Sequence, residues 1–173
     1  RLKQCSVAIG GLGGVGGAHA ITLARLGVGN FRLADFDVFD WPNMNRQAGA
    51  FASTIGQPKI DAMARQLRDI NPEVGLHLMP QGLGPENIGE FLDGADLYMD
   101  GLDVFALGVR RLVFARCREL RIPAVTAAPM GMGTSLLAFH PDGMSFEEYF
   151  CFDGLGFEDQ MIKFIVGVSP SMQ

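Results

Sequence analysis

Six glycines fall within the eight residues Gly10 to Gly17, in the run Gly-Gly-Leu-Gly-Gly-Val-Gly-Gly. The run follows a short apolar stretch, Ser6 to Ile9, and opens an apolar helical pattern, Val15 to Leu26, which Gly27 stops in the usual C-terminal role. The spacing G-x-G-x-x-G is met by Gly11, Gly13 and Gly16, with Gly14 inside it. Glycines let the backbone turn sharply and approach a phosphate, whose charge is met by the free N–H groups and positive dipole end of the helix that follows. A glycine-rich turn can also serve packing alone. Here a second apolar run, Phe31 to Ala34, ends on Asp35, the position from which a carboxylate accepts a ribose hydroxyl. Strand, glycine turn, helix, strand and acid together point to a nucleotide site.

The rest of the chain continues the alternation. Helical patterns cover Lys59 to Ile70, Glu86 to Leu92 and Leu107 to Leu120, and apolar runs cover Gly75 to Met79, Leu97 to Met99, Ala124 to Ala127 and Thr134 to Phe139. This is the signature of βαβ units, so the expected fold is a Rossmann-like, doubly wound α/β domain with a mostly parallel sheet and helices on both faces. The expected organisation is a nucleotide-binding domain over residues 1–141 and an irregular C-terminal extension over 142–173, because "MSFEEYFCFDG" and "MIKFIVGV" show no clear period and Ser169 to Gln173 reads as a frayed end.

Composition narrows the function. A chain of 173 residues with 48% hydrophobic content builds one sizeable core. A formal net charge of −5 and a pI near 5.1 argue against general nucleic-acid binding. No stretch has the length of a membrane span or the pattern of a signal peptide, and a cytoplasmic location is expected. Cys5, Cys117 and Cys151 are too far apart for a disulfide framework or a zinc knuckle, so no zinc is expected.

The glycine turn and Asp35 would serve a nicotinamide dehydrogenase equally well. What separates the two readings begins after Asp37, with Asn43, Asn45, Arg46, Gln47 and then Lys59 in "IGQPK". A dinucleotide pyrophosphate is served by one helix terminus, whereas a triphosphate carries more charge and calls for side-chain cations and Mg²⁺. Arg46 and Lys59 are such cations, and both follow the second strand, where loops converge on the ligand crevice of an open α/β sheet.

With "GLGGVG", "DFD", "N-x-N-R-Q", "GQPK", "INP" and "DGLD" in this order, the chain from Leu2 to His140 resembles the ThiF/MoeB/ubiquitin-activating superfamily of ATP-dependent adenylating enzymes. The resemblance implies that Gly11, Gly13, Gly14 and Gly16 line the nucleotide site and that Asp35, with Asp37 beside it, holds the ribose. It implies that Asn43, Asn45 and Arg46 contact phosphates, that Lys59 reaches the triphosphate and that Asp103 manages Mg²⁺. Arg46, Lys59 and Asp103 are then the catalytic set, and the cofactors are ATP and Mg²⁺. The implied partner is the C-terminal carboxylate of a ubiquitin-like or sulfur-carrier protein, or another carboxylate substrate, and the implied assembly is a homodimer. The form "N-M-N-R-Q" is nearer the dehydratase branch, which adenylates the carboxylate of threonylcarbamoyl-adenosine in tRNA. A non-catalytic nucleotide-binding subunit and an NAD-dependent dehydrogenase remain as alternatives.

Departures are equally legible. Val104 follows Asp103 where the family has an amide, and the family's zinc-binding C-x-x-C pairs are absent. The family's N-terminal helix, with an arginine that reaches the partner subunit's nucleotide, has no counterpart before the first strand, so a fragment is expected. A lone cysteine among aromatics such as Cys151 reads as a small buried hydrophobe rather than a transfer thiol. Arg110 and Arg111 read as a solvated helix face, with Arg110 alternatively turned toward the nucleotide crevice, His19, His77 and His140 as structural or surface residues, and Met130 and Met132 as turn residues.

Overall fold

The computed structural model describes residues 1–169; of the end expected to fray, Ser169 to Gln173, all but Ser169 lies outside the described residues. The elements run β1 (Ser6–Gly10), α1 (Gly14–Arg25), β2 (Asn30–Ala34), α2 (Lys59–Ile70), β3 (Gly75–Met79), α3 (Ile88–Leu92), β4 (Leu97–Asp100), α4 (Leu107–Glu119), β5 (Ala124–Met130), β6 (Gly133–Phe139), α5 (Phe146–Phe150) and α6 (Phe157–Val168). Strand order is β3-β2-β1-β4-β5-β6, with the first five parallel and β6 antiparallel to β5. This is the Rossmann-like, mostly parallel sheet that the alternation predicts. The order in which strands are added reverses between β1 and β4, so the crevice at their carboxyl ends is the switch point at which such sheets bind ligands.

Each face of the sheet carries its own core. Val7, Ile9, Phe31 and Leu33 point to the side covered by α1 and α2, where Ala20, Ile60, Met63 and Leu67 complete the cluster. Ala8, Ala34 and Tyr98 point to the other side, against Phe91 of α3, Val113 and Phe114 of α4, and Phe146, Phe150 and Phe164 of α5 and α6. Burial on both faces explains why the central strands β1 and β4 read as continuous apolar runs, whereas the edge strand β6 alternates between half-buried and exposed residues.

Two local features differ from the sequence expectation. Residues after Pro141 are not irregular: α5 and α6 fold there and place Phe146, Phe150, Phe152, Met161, Phe164 and Val168 in the same cluster as α3 and α4. The period is hidden because α5 is only five residues long, and because α6 exposes Ile162, Ile165 and Val166 opposite its buried stripe, leaving little polar contrast. The second difference is the reach of the last hairpin. β5 pairs with β4 only through Ala124 to Thr126, while it pairs with β6 as far as Met130. Residues 127–134 therefore project past the carboxyl edge of β4, with Met130, Gly131 and Met132 at the tip.

Candidate functional site

The turn after β1 is held by backbone on every side. Gly11 takes φ +82°, its amide donates to the Ala34 carbonyl at 2.8 Å, and the Leu12 amide donates to Asp35 Oδ2 at 2.6 Å. A Cβ on Gly11 would collide with the Gly101 carbonyl, and one on Gly16 with the Gly11 carbonyl. A Cβ on Gly101 would lie 2.6 Å from the Gly11 oxygen, so the segments after β1 and β4 touch through bare main chain. Helix α1 then starts with no side-chain cap at Gly13 and no acidic residue in its first turn. Its first N–H groups and dipole are thus left to an external anion, which is the condition a phosphate cradle requires.

Asp35 closes one side. Its Oδ2 accepts from Leu12 and its Oδ1 from the Asp37 amide at 2.8 Å, which leaves further lone pairs for a hydroxyl donor. Burial raises its pKa above the ordinary value; the Leu12 and Asp37 amides and Lys59 pull it down, and the Asp37 carboxylate pushes it up again. Asp37 and Lys59 are joined twice: the Lys59 amide donates to the Asp37 carbonyl at 2.9 Å, and Lys59 Nζ lies 3.0 Å from Asp37 Oδ2. Lys59 is 6% exposed and sits at the first position of α2, where the helix dipole disfavours a cation. A buried lysine placed against that dipole, beside one carboxylate that is itself half-exposed, suits an additional anionic ligand.

The loop between Asp37 and Lys59 folds over the turn. Its 3-10 helix, Trp41–Asn45, is closed by a capping box in which the Asp40 amide donates to Asn43 Oδ1 at 3.0 Å. The Asn43 oxygen is therefore committed to the loop, which leaves its amide nitrogen as a donor for another group. Arg46 donates from Nη1 to the Pro42 carbonyl at 3.1 Å and to Asn45 Oδ1 at 3.0 Å, and its stem lies against Gly14. Gln47 is 8% exposed, its Nε2 is next to Gly13, and its Oε1 is buried without a protein partner. Such an acceptor beside a phosphate turn is met by a ligand or a water. Phe36, between the two aspartates, leaves its ring 75% exposed against Gly82.

Asp103 closes the other side. It is exposed, and its Oδ1 accepts the Phe105 amide at 2.9 Å, which starts the turn into α4. Among the described residues no three His, Cys, Asp or Glu side chains gather into a metal cage. The donor set suits an ion carried in on phosphate oxygens, since Mg²⁺ keeps its waters and takes one or two carboxylates. Arg110 is not on a solvated face: it is 3% exposed and paired with Asp100 beneath the Asp103 turn, whereas Arg111 pairs with Glu147 in a half-buried position. A sequence shows an arginine on a helix, but the partner that draws it inward lies ten residues away on another element. Cys151 is exposed in a left-handed conformation, not buried, because it ends α5, and Cys117 is core.

The residues singled out in the sequence thus converge on the carboxyl ends of β1, β2 and β4. Comparison with known proteins places the chain in a family. Over 127 residues the chain is 38% identical to the tRNA threonylcarbamoyladenosine dehydratase of Bacillus subtilis, which is 73% of this chain and 49% of that protein. It is 34% identical over 143 residues to the molybdopterin-synthase adenylyltransferase of Escherichia coli, covering 82% of this chain and 57% of that protein. The crystal structure of the E. coli tRNA N6-threonylcarbamoyladenosine dehydratase in complex with ATP superposes with a TM-score of 0.70 at 30% identity, covering 75% of this chain and 55% of that one. The chain spans about half the length of the curated relatives it matches. The ThiF family model matches residues 1–169, from the 3-10 turn before β1 to the end of α6, and the chain belongs to the ThiF family.

Proposed function

We propose that the chain is the nucleotide-binding part of an ATP-dependent adenylyltransferase that joins a substrate carboxylate to AMP and releases pyrophosphate. The observation that carries this reading is the uncapped, acid-free start of α1 with the buried Lys59 and the neighbouring Arg46 gathered at one anion site. The substrate carboxylate oxygen attacks the α-phosphorus, the bond to the α–β bridging oxygen breaks, and pyrophosphate leaves with the electron pair. Both reactants are anions, so the task of the protein is to offset charge that repels on approach and builds on the leaving group. Asp35 receives the ribose, the α1 amides and the Asn43 amide nitrogen receive phosphate oxygens, and Arg46 and Lys59 face the growing negative charge. Asp103 is the residue that would hold a Mg²⁺ ion, which would supply charge neutralisation at the leaving group. No general base is needed, because a carboxylate is ionised at neutral pH. The assembly that fits the family resemblance is a two-fold homodimer.

Two acceptors fit this chemistry. One is the C-terminal carboxylate of a sulfur-carrier or ubiquitin-like protein, a reading supported by 33% identity to the sulfur carrier protein ThiS adenylyltransferase of E. coli. The other is threonylcarbamoyladenosine in tRNA, favoured by the 38% identity to the B. subtilis dehydratase and by the Asn43-Met44-Asn45-Arg46-Gln47 form of the loop. ATP–pyrophosphate exchange, measured with a sulfur-carrier protein and separately with a tRNA bearing threonylcarbamoyladenosine, tells them apart. Lys59→Ala is expected to abolish the exchange. Competition calorimetry is expected to show ATP binding ahead of NAD; tighter NAD binding, or full exchange in the variant, would sink the adenylation reading, and nucleotide binding without exchange would leave a non-catalytic subunit.

A further inference from the structure

A buried network lies beneath Asp103. Asp100, the last residue of β4, accepts from the Leu102 amide at 3.2 Å, the Tyr98 hydroxyl at 3.4 Å, Arg110 Nε at 2.7 Å and the Thr126 hydroxyl at 2.8 Å. Arg110 then donates from Nη2 to the carbonyls of Leu102, at 2.6 Å, and Asp103, at 3.2 Å. Its guanidinium carbon stands 4.6 Å from the centre of the Phe164 ring, so α6 backs the group that holds the segment. Residues 100–103 are gripped from two directions: a carboxylate takes the amide of residue 102, and a guanidinium takes the carbonyls of 102 and 103. The same segment carries Gly101, which touches Gly11 and Gly16 of the phosphate turn.

A buried ion pair is a poor source of net stability beside apolar groups of equal volume, because desolvation consumes most of the Coulomb gain. What this pair adds is geometry. One planar fork reaches a carboxylate and two carbonyls at once, which an ammonium cannot do. We propose that Arg110 is a positioning residue that sets Asp103 against the phosphate turn, acting through the backbone of Leu102 and Asp103 without touching the nucleotide. The proposal rests on the adenylation reading for what Asp103 does, but not for what Arg110 holds.

Arg110→Lys keeps the charge opposite Asp100 and loses the fork. Hydrogen exchange on the unliganded protein is expected to show lost protection at the amides of Leu102, Phe105 and Ala106, with β1 and β5 unchanged. ATP affinity without Mg²⁺ stays within about 2-fold, since the α1 amides and Asp35 are untouched. The kcat of ATP–pyrophosphate exchange, with whichever of the two acceptors supports it, falls about 10²-fold at nearly constant KM, the scale of a misplacement near 1 Å. Phe164→Leu loosens the guanidinium without removing a donor; it is expected to lose protection at the same amides and about 10-fold in kcat, and it carries the test if Arg110→Lys does not fold. Unchanged kcat in the folded variant, or protection lost evenly across β4, β5 and α4, would overturn the assignment. A wild-type chain that supports no exchange with either acceptor would instead refute the adenylation reading, while the exchange pattern of the amides still reports whether Arg110 holds the turn.

Discussion

Asp35 is held as a structural group, and the proposed function asks it also to receive a ribose hydroxyl. Two backbone amides fix its carboxylate, yet burial outweighs them and its pKa lies above the ordinary 3.8. For a group whose folded pKa is raised, the stability linked to it is complete below the unfolded value and is lost as pH rises through the folded one. Ionised Asp35 therefore costs stability at neutral pH, and the cost is compatible with keeping a charged acceptor for a hydroxyl. Adenosine, which brings no titrating phosphate, is expected to bind progressively more weakly as pH falls, beginning above the range in which an ordinary aspartate titrates. Asp35→Asn is expected to weaken binding about 10- to 100-fold at pH 7, the worth of a hydrogen bond to a charged group, and to remove the pH dependence. Calorimetry across pH 4 to 7 checks both; a flat wild-type profile would show that the carboxylate does not meet the ligand. Asp35 is legible in the sequence because the strand that delivers it and the turn that it caps are contiguous patterns. Arg110 is not, because its inward orientation depends on Asp100 and Phe164, whose approach only the assembled sheet creates.

At the scale of elements, the strands and the helices before Pro141 were legible to within a few residues, because burial leaves a different period in strands and in helices, whereas the twelve-residue α6 was not, its exposed face being nearly as apolar as its buried one. The short 3-10 helix Trp41–Asn45 was not, since three to five residues are too few to show a period. Helix α5 is short enough that its cap decides it. Ser145 Oγ accepts the Glu148 amide at 3.1 Å, while Glu148 Oε2 accepts the Ser145 amide at 2.7 Å. The Ser145 amide and hydroxyl hold the Glu148 carboxyl below its usual value, so the stability it adds is present above pH 4.5 and lost as pH falls through the folded pKa. Ser145→Ala is expected to cost about 1 kcal/mol, as lost N-caps do. Urea denaturation at pH 7 and pH 4 checks this: the difference between variant and wild type should shrink at the lower pH, and an equal difference at both would separate the cap from the titration.

For the molecule as a whole, the two cores share one sheet, and the ligand crevice lies where both meet its carboxyl edge. Binding there should therefore stabilise the entire unit. At a free concentration near 100 times Kd, ATP is expected to add about 2.7 kcal/mol, which for a chain of this size raises Tm by about 5–10 °C in a single transition. Differential scanning calorimetry with ATP and with NAD checks it, and a larger shift from NAD would point to the dehydrogenase. The contact of Gly11, Gly16 and Gly101 has a further bearing on how such a chain can change. With main chain against main chain, the junction offers no side chain to vary and no room to add one. Evolutionary drift or directed evolution of this protein is therefore channelled outward, into the projecting β5–β6 hairpin and the parts of the 38–57 loop outside Asn43 to Gln47. Libraries aimed at a new acceptor belong at those positions, with the glycine contact left as a fixed pivot.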